Sequence, residues 1–225
     1  MRSPTLAPPP TRAPHARAVA GWTGVLALAL LVLVVAGWGP LMAFDRAVAE
    51  ALHASAVSSP VATGVNRVLT DWVWDPWTMR GLVAVVAVVL WRRGERWPAG
   101  LLVVVSVLAS GLQQALKALV GRDRPRWEDP VDAADFAAFP SGHAMTVVVT
   151  FGLLWWVAVT HGARAARAAR PLVAVGVVSA VGVGLTRVYL GVHWVSDVVA
   201  GWLLGACVVA LAIAVHARHM AGRRG

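Results

Sequence analysis

Six long apolar runs dominate the chain, and short, mostly basic segments separate several of them. A helix that crosses a bilayer needs about 17–25 predominantly apolar residues, and each run is near that length. The second and fifth runs are the weakest; the second is uninterrupted only from Gly81 to Trp91, so five crossings are the alternative. The runs occupy residues 20–41, 74–91, 97–119, 142–160, 170–187 and 194–216. The pattern predicts an all-α polytopic membrane protein with six transmembrane helices.

Residues 44–71 show a different periodicity. Val61, Val65, Val68 and Leu69 recur at helical spacing, while the positions between them are largely polar. A narrow apolar stripe of this kind is typical of a helix that lies on the membrane surface. We therefore expect a short amphipathic helical segment between the first two crossings.

The two ends of the chain differ in composition from the rest. Residues 1–18 contain three arginines, five prolines and no acid, which predicts a disordered basic tail. Residues 19–217 form one six-span domain in this interpretation, and 218–225 form a basic cytoplasmic tail. The first apolar run exceeds the h-region of about 7–15 residues in a signal peptide, so a retained span is favoured over a cleaved one.

Composition supports a membrane protein. Hydrophobic residues make up 58% of the 225, charged residues only 14%, and the mean hydropathy is +0.68; a soluble domain needs more polar surface. The single cysteine, Cys207, excludes an intramolecular disulfide and a cysteine-rich metal site. Alanine, valine, glycine and arginine are abundant, which is typical of GC-rich bacterial coding, so we expect a bacterial plasma membrane.

The basic residues indicate an orientation. A net charge of +9 suggests nucleic acid in a soluble protein, but no basic–aromatic face here could follow a nucleic acid. With the N-terminus in the cytoplasm and six crossings, the inner segments contain one acid, Glu95. The same segments contain the basic residues Arg2, Arg12, Arg17, Arg92, Arg93, Arg96, Arg164, Arg167, Arg170, Arg218, Arg223 and Arg224. This positive-inside bias places both termini in the cytoplasm and the three clusters described next on the outer side.

The first cluster lies at the outer end of the third run. Lys117 and Arg124 are seven residues apart, which is about two turns of a helix and nearly one face. If the helix ends near Pro125, the two cations can converge on one anion. The alternative is a pair of basic side chains that reach from a helix end to the aqueous interface.

The second cluster opens the fourth run with Pro140-Ser141-Gly142-His143. Pro-Ser indicates a helix start, and Gly142 lets backbone N–H groups approach a ligand closely. The N-terminus of a helix attracts anions, and His143 would lie in its first turn. The alternative is an ordinary N-cap beside an incidental histidine.

The third cluster joins the fifth and sixth runs and contains Arg187, His193 and Asp197. His193 and Asp197 are i, i+4 neighbours on one helix face. A carboxylate there fixes the imidazole tautomer and leaves the second ring nitrogen as a nucleophile. Arg187 offers a planar guanidinium to phosphate oxygens. The alternative is a polar helix cap.

Together the clusters provide three cations, a helix N-terminus and two histidines at one membrane face, a set suited to phosphoryl transfer without a metal. The pattern Lys-x6-Arg-Pro, Pro-Ser-Gly-His and Ser-Arg-x5-His-x3-Asp resembles the type 2 phosphatidic acid phosphatase superfamily, whose core site vanadium haloperoxidases share. The motif match covers residues 117–197, and the six-span layout extends it to nearly the whole chain. One position departs from the pattern: Thr186 stands where serine is usual.

The resemblance implies an integral-membrane lipid phosphatase that forms a phosphohistidine and needs no cofactor. It implies that His193 is the nucleophile, that Asp197 orients it and that His143 is the general acid. It implies phosphate binding by Lys117, Arg124, Ser141, Gly142 and Arg187. Thr186 keeps the hydroxyl, so only packing around it is in question.

Substrate and oligomeric state stay open at this point. A phosphatidate-like monoester and undecaprenyl pyrophosphate both fit, and membrane lipids are the expected partners, with no nucleic acid. Two other functions are alternatives: a vanadate-dependent haloperoxidase, disfavoured by six spans, and a non-catalytic transporter or scaffold, disfavoured by the intact histidines and Asp197.

Overall fold

All regular structure in the described part of the chain is helical. The computed structural model describes residues 12–160 and 163–222. A π-helical turn, Leu69–Val73, follows the third helix. The α-helices are α1 (Arg12–Val35), α2 (Gly39–Ser58), α3 (Pro60–Val68), α4 (Pro76–Arg92), α5 (Arg96–Val120), α6 (Gly142–Thr160), α7 (Ala163–Tyr189) and α8 (Val195–Gly222).

Within the described residues, six helical stretches are long and apolar enough to cross a membrane, as the sequence predicts. They are Pro14–Val35, Pro60–Arg92, Arg96–Val120, Gly142–Thr160, Ala169–Tyr189 and Val195–Gly222. With its large apolar exposed surface, the chain is an integral membrane protein with the predicted all-α architecture.

The second of these stretches is not one continuous α-helix, which explains why its apolar run looks short. α3, the π-helical turn and α4 succeed one another, and α4 alone has 17 residues. The Asp75 carboxylate starts α4 by accepting the backbone N–H groups of Trp77 and Thr78 at 2.8 and 2.9 Å. Pro76 is placed in the first turn, where its missing N–H costs nothing.

Both ends of the chain are more helical than expected. Residues 12–18, which composition assigns to a disordered tail, begin α1, because this stretch is rich in alanine, the strongest helix former, and Ala16 packs at 8% exposure. Similarly, Arg218 lies inside α8. The rest of the predicted tails, residues 1–11 and 223–225, lies outside the described residues.

The first apolar run is divided between two helices rather than forming one span to Leu41. α1 ends at Val35, and Gly37 adopts a positive φ of 62°, which glycine tolerates and most residues avoid. Leu41 therefore belongs to α2.

In α3 the predicted apolar stripe is present, since Val61, Val65 and Val68 are all exposed and available to a membrane surface.

The core lies among α4, α5, α6 and α8, and α6 packs against α4, α5, α7 and α8. Val83, Leu102, Leu153 and Val209, one from each helix, belong to the same buried cluster. α1 packs along α8, and α7 packs along α6. The start of α6 is thereby held between α5 and α8, at the end of the bundle where the chain connects α5 to α6 and α7 to α8.

Candidate active site

His193 lies in the short connection between α7 and α8 and is only 2% exposed. Its Nδ1 is 3.3 Å from Oδ2 of Asp197. Its Nε2 is 3.2 Å from Nη1 of Arg124. One ring nitrogen therefore faces a carboxylate and the other faces a cation.

The structure corrects the expectation that His193 and Asp197 share a helix face. α8 begins at Val195, two residues after His193. The chain turns here because Oδ2 of Asp197 accepts the backbone N–H of Trp194 at 2.9 Å, as a capping carboxylate does at a helix start. The predicted contact forms all the same, through the turn rather than along a helix.

Burial lowers the pKa of His193 well below its ordinary value, and the charges of Arg124, Arg187 and Lys117 lower it further. The imidazole is therefore neutral at neutral pH. A neutral imidazole that donates Nδ1–H to Asp197 has its lone pair on Nε2. That nitrogen is the one beside Arg124.

The cations come from three different places. Lys117 lies in the last turn of α5, Arg187 lies in the last turn of α7, and Arg124 follows α5 in the connecting segment. Lys117 and Arg124 do not share a helix face as expected, because Gly121 adopts a left-handed conformation with φ 59° and ends α5. Their convergence depends on the path of residues 121–141 instead.

The connecting segment occupies the donors of these cations. Arg124 donates to the carbonyls of Asp135 at 3.0 Å and Phe136 at 2.9 Å, and Lys117 donates to Ala137. Arg187 donates to Oγ1 of Thr70 at 3.2 Å and lies 3.8 Å from a carboxylate oxygen of Asp132. Carbonyl and carboxylate oxygens thus take positions that phosphate oxygens could take.

The Pro-Ser-Gly-His segment forms the start of α6, as predicted. The backbone N–H of Ser141 donates to the Asp197 carbonyl at 2.9 Å, which ties this start to α8. A Cβ on Gly142 would meet the Gln113 side chain at 3.0 Å, so the position favours glycine. His143, in the first turn, is half-buried and interacts electrostatically with Arg187, His193, Arg124 and Lys117.

All eight residues singled out in the sequence are thereby brought to one end of the bundle. A cavity of about 290 Å³ opens beside them, lined among others by Arg124, Trp127, Asp132, Gly191 and Val192. Within residues 12–160 and 163–222, no three His, Cys, Asp or Glu side chains converge as a metal site would require. The arrangement can bind an anion beside a neutral, oriented imidazole.

Sequence reasoning missed Arg122, Asp45 and Ser196, which form a buried network behind Asp197. Arg122 is paired with both Asp197 and Asp45, and Asp45 is 77 positions away in the sequence. No spacing rule connects such distant residues. The one available signal was Arg122 itself, a third basic residue within the Lys117–Arg124 stretch.

Two residues outside the main cluster have structural partners. The Thr186 hydroxyl donates to the Val183 carbonyl at 2.8 Å within α7, a bond that serine could also make. His53 is buried and stacks on Trp127 with ring centroids 4.0 Å apart. Burial lowers the pKa of His53, and interaction with Asp129 partly offsets this lowering.

Comparison with known proteins places this geometry in a family. The sequence model of the PAP2 superfamily matches residues 98–221. The phosphatidylglycerophosphatase B of Bacillus subtilis (strain 168) is 29% identical over 178 residues, covering 73% of this chain and 87% of that protein. An undecaprenyl-diphosphatase of Sulfolobus acidocaldarius is 30% identical over 158 residues, covering 64% of each.

The fold agrees with a solved structure. The crystal structure of a transmembrane PAP2-type phosphatidylglycerolphosphate phosphatase from Bacillus subtilis superposes with a TM-score of 0.70 at 22% identity, over 90% of this chain and 97% of that one. The family match includes the helix that carries Lys117, the start of α6, Arg187, His193 and Asp197. The chain therefore belongs to the PAP2 superfamily.

Proposed function

We propose that the protein is an integral-membrane lipid phosphatase that works through a phosphohistidine on His193. The observation that carries the proposal is the environment of this imidazole. Nδ1 faces the buried Asp197 carboxylate, and Nε2 faces Arg124. A neutral nucleophile is thereby aimed at a place where cations would hold a phosphate.

The first chemical step transfers the phosphoryl group to the enzyme. Nε2 of His193 attacks phosphorus, the bond from phosphorus to the lipid oxygen breaks, and its electron pair leaves with that oxygen. His143 donates a proton to the leaving oxygen. Lys117, Arg124 and Arg187 stabilise the charge that spreads over the three equatorial oxygens, and Ser141 and Gly142 supply donors at the start of α6.

The second step returns the enzyme to its starting state. A water molecule attacks the phosphohistidine and gives a proton to His143, which lost one in the first step. The bond from phosphorus to nitrogen breaks, and inorganic phosphate leaves. Asp197 stabilises the His193 imidazolium character that develops when Nε2 carries the phosphoryl group.

The substrate class is a phosphomonoester or pyrophosphate of a lipid. Of the two relatives, one is named for phosphatidylglycerophosphate, a monoester, and the other for undecaprenyl diphosphate, an anhydride. Both substrates present a terminal phosphate on a lipid. A membrane lipid can deliver that phosphate to this chain because the site lies at one end of the spans, next to the exposed apolar face of α3.

The charge bias supports a location on the outer side of a bacterial plasma membrane. Both termini and the α4–α5 turn, with Arg92, Arg93 and Arg96, are cytoplasmic in this orientation. The α5–α6 and α7–α8 connections are then extracytoplasmic, together with the active site.

Phosphate release from purified protein tests the function. We expect turnover of at least one lipid in a panel of phosphatidate, phosphatidylglycerophosphate and undecaprenyl pyrophosphate, and loss of that turnover in His193→Ala. EDTA should leave the rate unchanged, because three protein cations rather than a divalent ion neutralise the phosphate. Turnover that vanishes in EDTA and returns with magnesium, or that survives in His193→Ala, would contradict the mechanism.

A further inference from the structure

Arg122 lies between two buried carboxylates of different helices. Its Nη1 is 2.6 Å from Oδ1 of Asp197 in α8, and its Nη2 is 2.8 Å from Oδ2 of Asp45 in α2. Asp197 is fully buried, and Asp45 is 1% exposed. Both terminal nitrogens of this arginine therefore contact buried carboxylates, whereas those of Arg124 contact backbone carbonyls and His193.

Asp45 holds this arrangement from the other side. Its Oδ1 accepts the backbone N–H of Ser196 at 2.9 Å, and its Oδ2 accepts the Ser196 hydroxyl. The same hydroxyl accepts from Nη1 of Arg122 at 2.7 Å. α2, the segment after α5 and the first turn of α8 are thus joined through one hydrogen-bonded network.

The network reaches His193 through the second oxygen of Asp197. Oδ1 of Asp197 accepts from Arg122, while Oδ2 faces Nδ1 of His193 and also accepts the Trp194 N–H. A carboxylate held at both oxygens cannot rotate freely, so the direction in which Oδ2 points is fixed. The guanidinium also lies over the Trp194 ring, 5.6 Å from its centroid, which limits its own movement.

We propose that Arg122, anchored by Asp45, is a positioning residue for the nucleophile: it fixes the Asp197 carboxylate so that His193 keeps one tautomer and one orientation. This inference rests on the proposed role of His193. Arg122 acts through Asp197 and does not touch the substrate. The planar fork matters because one guanidinium reaches two carboxylates, which the single ammonium of lysine cannot do in the same geometry.

Three variants test the role against a matched control. Arg122→Gln removes the charge, Arg122→Lys keeps the charge but loses the fork, and Asp45→Asn removes the anchor with little change of shape. Arg46→Gln is the control, because Arg46 is the neighbouring residue on α2 and is exposed. All four are compared with wild type in detergent for kcat, KM and single-turnover formation of phosphohistidine.

We expect Arg122→Gln to lower kcat by roughly 10–100-fold with KM unchanged, by analogy with the loss when the partner that orients a metal-binding histidine is removed. Arg122→Lys should recover part of that loss, and Arg46→Gln should match wild type. Asp45→Asn should lower kcat by a smaller factor than Arg122→Gln does. The double variant should be no slower than Arg122→Gln alone, because both changes act through one network.

Single-turnover kinetics separate positioning from simple stability. A misplaced carboxylate slows phosphoenzyme formation while the amount formed by active molecules stays the same. A structural defect instead lowers the amount formed and leaves its rate unchanged. If Arg122→Gln cannot be purified folded, the rate and amount in Asp45→Asn decide the question.

Several results would overturn the inference. A raised KM with normal kcat in Arg122→Gln would indicate that Arg122 binds phosphate. Equal kcat values in Arg122→Gln and Arg46→Gln would show that Arg122 does not position the nucleophile. Failure of the proposed function is recognisable separately, because wild type and Arg46→Gln would then both release no phosphate from any substrate.

Discussion

At the scale of single residues, the two histidines have different surroundings and should have separable roles. His193 is almost fully buried with both nitrogens facing charged groups, whereas His143 is half-buried at the start of α6. We assign attack on phosphorus to His193 and protonation of the leaving oxygen to His143. The nature of the leaving group should distinguish the two.

A lipid alkoxide needs a proton as it departs, whereas p-nitrophenolate is stable enough to leave without one. General acid assistance contributes roughly 10²–10⁴-fold when it is fully needed. His193→Ala should abolish turnover of every substrate, because His193 is the group that attacks phosphorus. His143→Ala should abolish lipid turnover but keep a measurable rate with p-nitrophenyl phosphate.

Rapid-quench detection of acid-labile phosphohistidine, alongside steady-state rates on both substrates, measures these outcomes. Asp197→Asn should bind substrate but react slowly, because the tautomer is no longer enforced. The two roles would be exchanged if His193→Ala still formed the phosphoenzyme and His143→Ala did not.

The environment of His193 also predicts a dependence of stability on pH. Burial holds its folded-state pKa below the ordinary value, so below about pH 6.5 the unfolded chain binds a proton there that the folded chain does not. The contribution of His193 to the free energy of unfolding is then fully present above pH 6.5 and is lost as the pH decreases. The free energy of unfolding should therefore decrease between pH 6.5 and pH 5.

Thermal unfolding in detergent at pH 7.5 and pH 5 measures this effect. The melting temperature of wild type should fall more on acidification than that of His193→Gln, which cannot take up the proton at this position. Equal falls in the two proteins would mean that His193 is protonated in the folded state.

At the scale of helices, close packing of α8 against α6 fixes the start of α6. A Cβ on Gly201 would lie 2.7 Å from the Ser141 carbonyl oxygen and 3.0 Å from Cβ of Ala144. A backbone oxygen cannot move aside as a flexible side chain can. The start of α6, which carries Gly142 and His143, would have to shift instead.

Gly201→Ala should therefore lower both stability and activity. Overpacking of this kind typically costs about 1–3 kcal/mol. Gly111→Ala is the matched control, because Gly111 is also within a helix and nothing lies within 4 Å of its Cβ position. Melting temperature and kcat of the two variants in the same detergent give the comparison, and an equally active Gly201→Ala would show that α8 does not fix the start of α6.

The helices also show which parts of the structure local sequence can predict. Apolar runs predicted the crossings because each span must satisfy its backbone hydrogen bonds internally, whatever its neighbours. The expected continuation of the helix from Lys117 to Arg124 was wrong, because Gly121 adopts a left-handed conformation that Lys-x6-Arg spacing does not reveal. The division of the first run at Gly37 was missed for the same reason.

The site was predictable to the extent that its residues lie within short motifs. His193 and Asp197 are four positions apart, so either a helix or a turn can bring them together. The pairing of Arg122 with Asp45 depends on how α2 packs beside α8, which is a tertiary contact without a local pattern. The closure of residues 132–137 over Lys117, Arg124 and Arg187 is tertiary in the same sense.

At the scale of the whole molecule, the six apolar stretches of the described residues separate the end with the proposed active site from a basic end. The α5–α6 and α7–α8 connections lie at one end and contain His193 and Arg124, whereas the α4–α5 turn lies at the other end and contains Arg92 and Arg93. The distribution of Lys and Arg in short loops sets the orientation of a membrane protein. The orientation of the protein in the membrane is therefore predicted from its loop charges, independently of the active-site residues, and can be tested.

Single-cysteine labelling tests the orientation on a Cys207→Ala background. Glu128 in the α5–α6 connection and Arg93 in the α4–α5 turn are both exposed, so accessibility within the protein does not differ between them. A membrane-impermeant maleimide added to intact cells should label Glu128→Cys and leave Arg93→Cys unmodified. Both should react after permeabilisation, and both variants should retain phosphatase activity. Labelling of Arg93→Cys alone from outside would place the active site in the cytoplasm, and its lipid substrate in the inner leaflet.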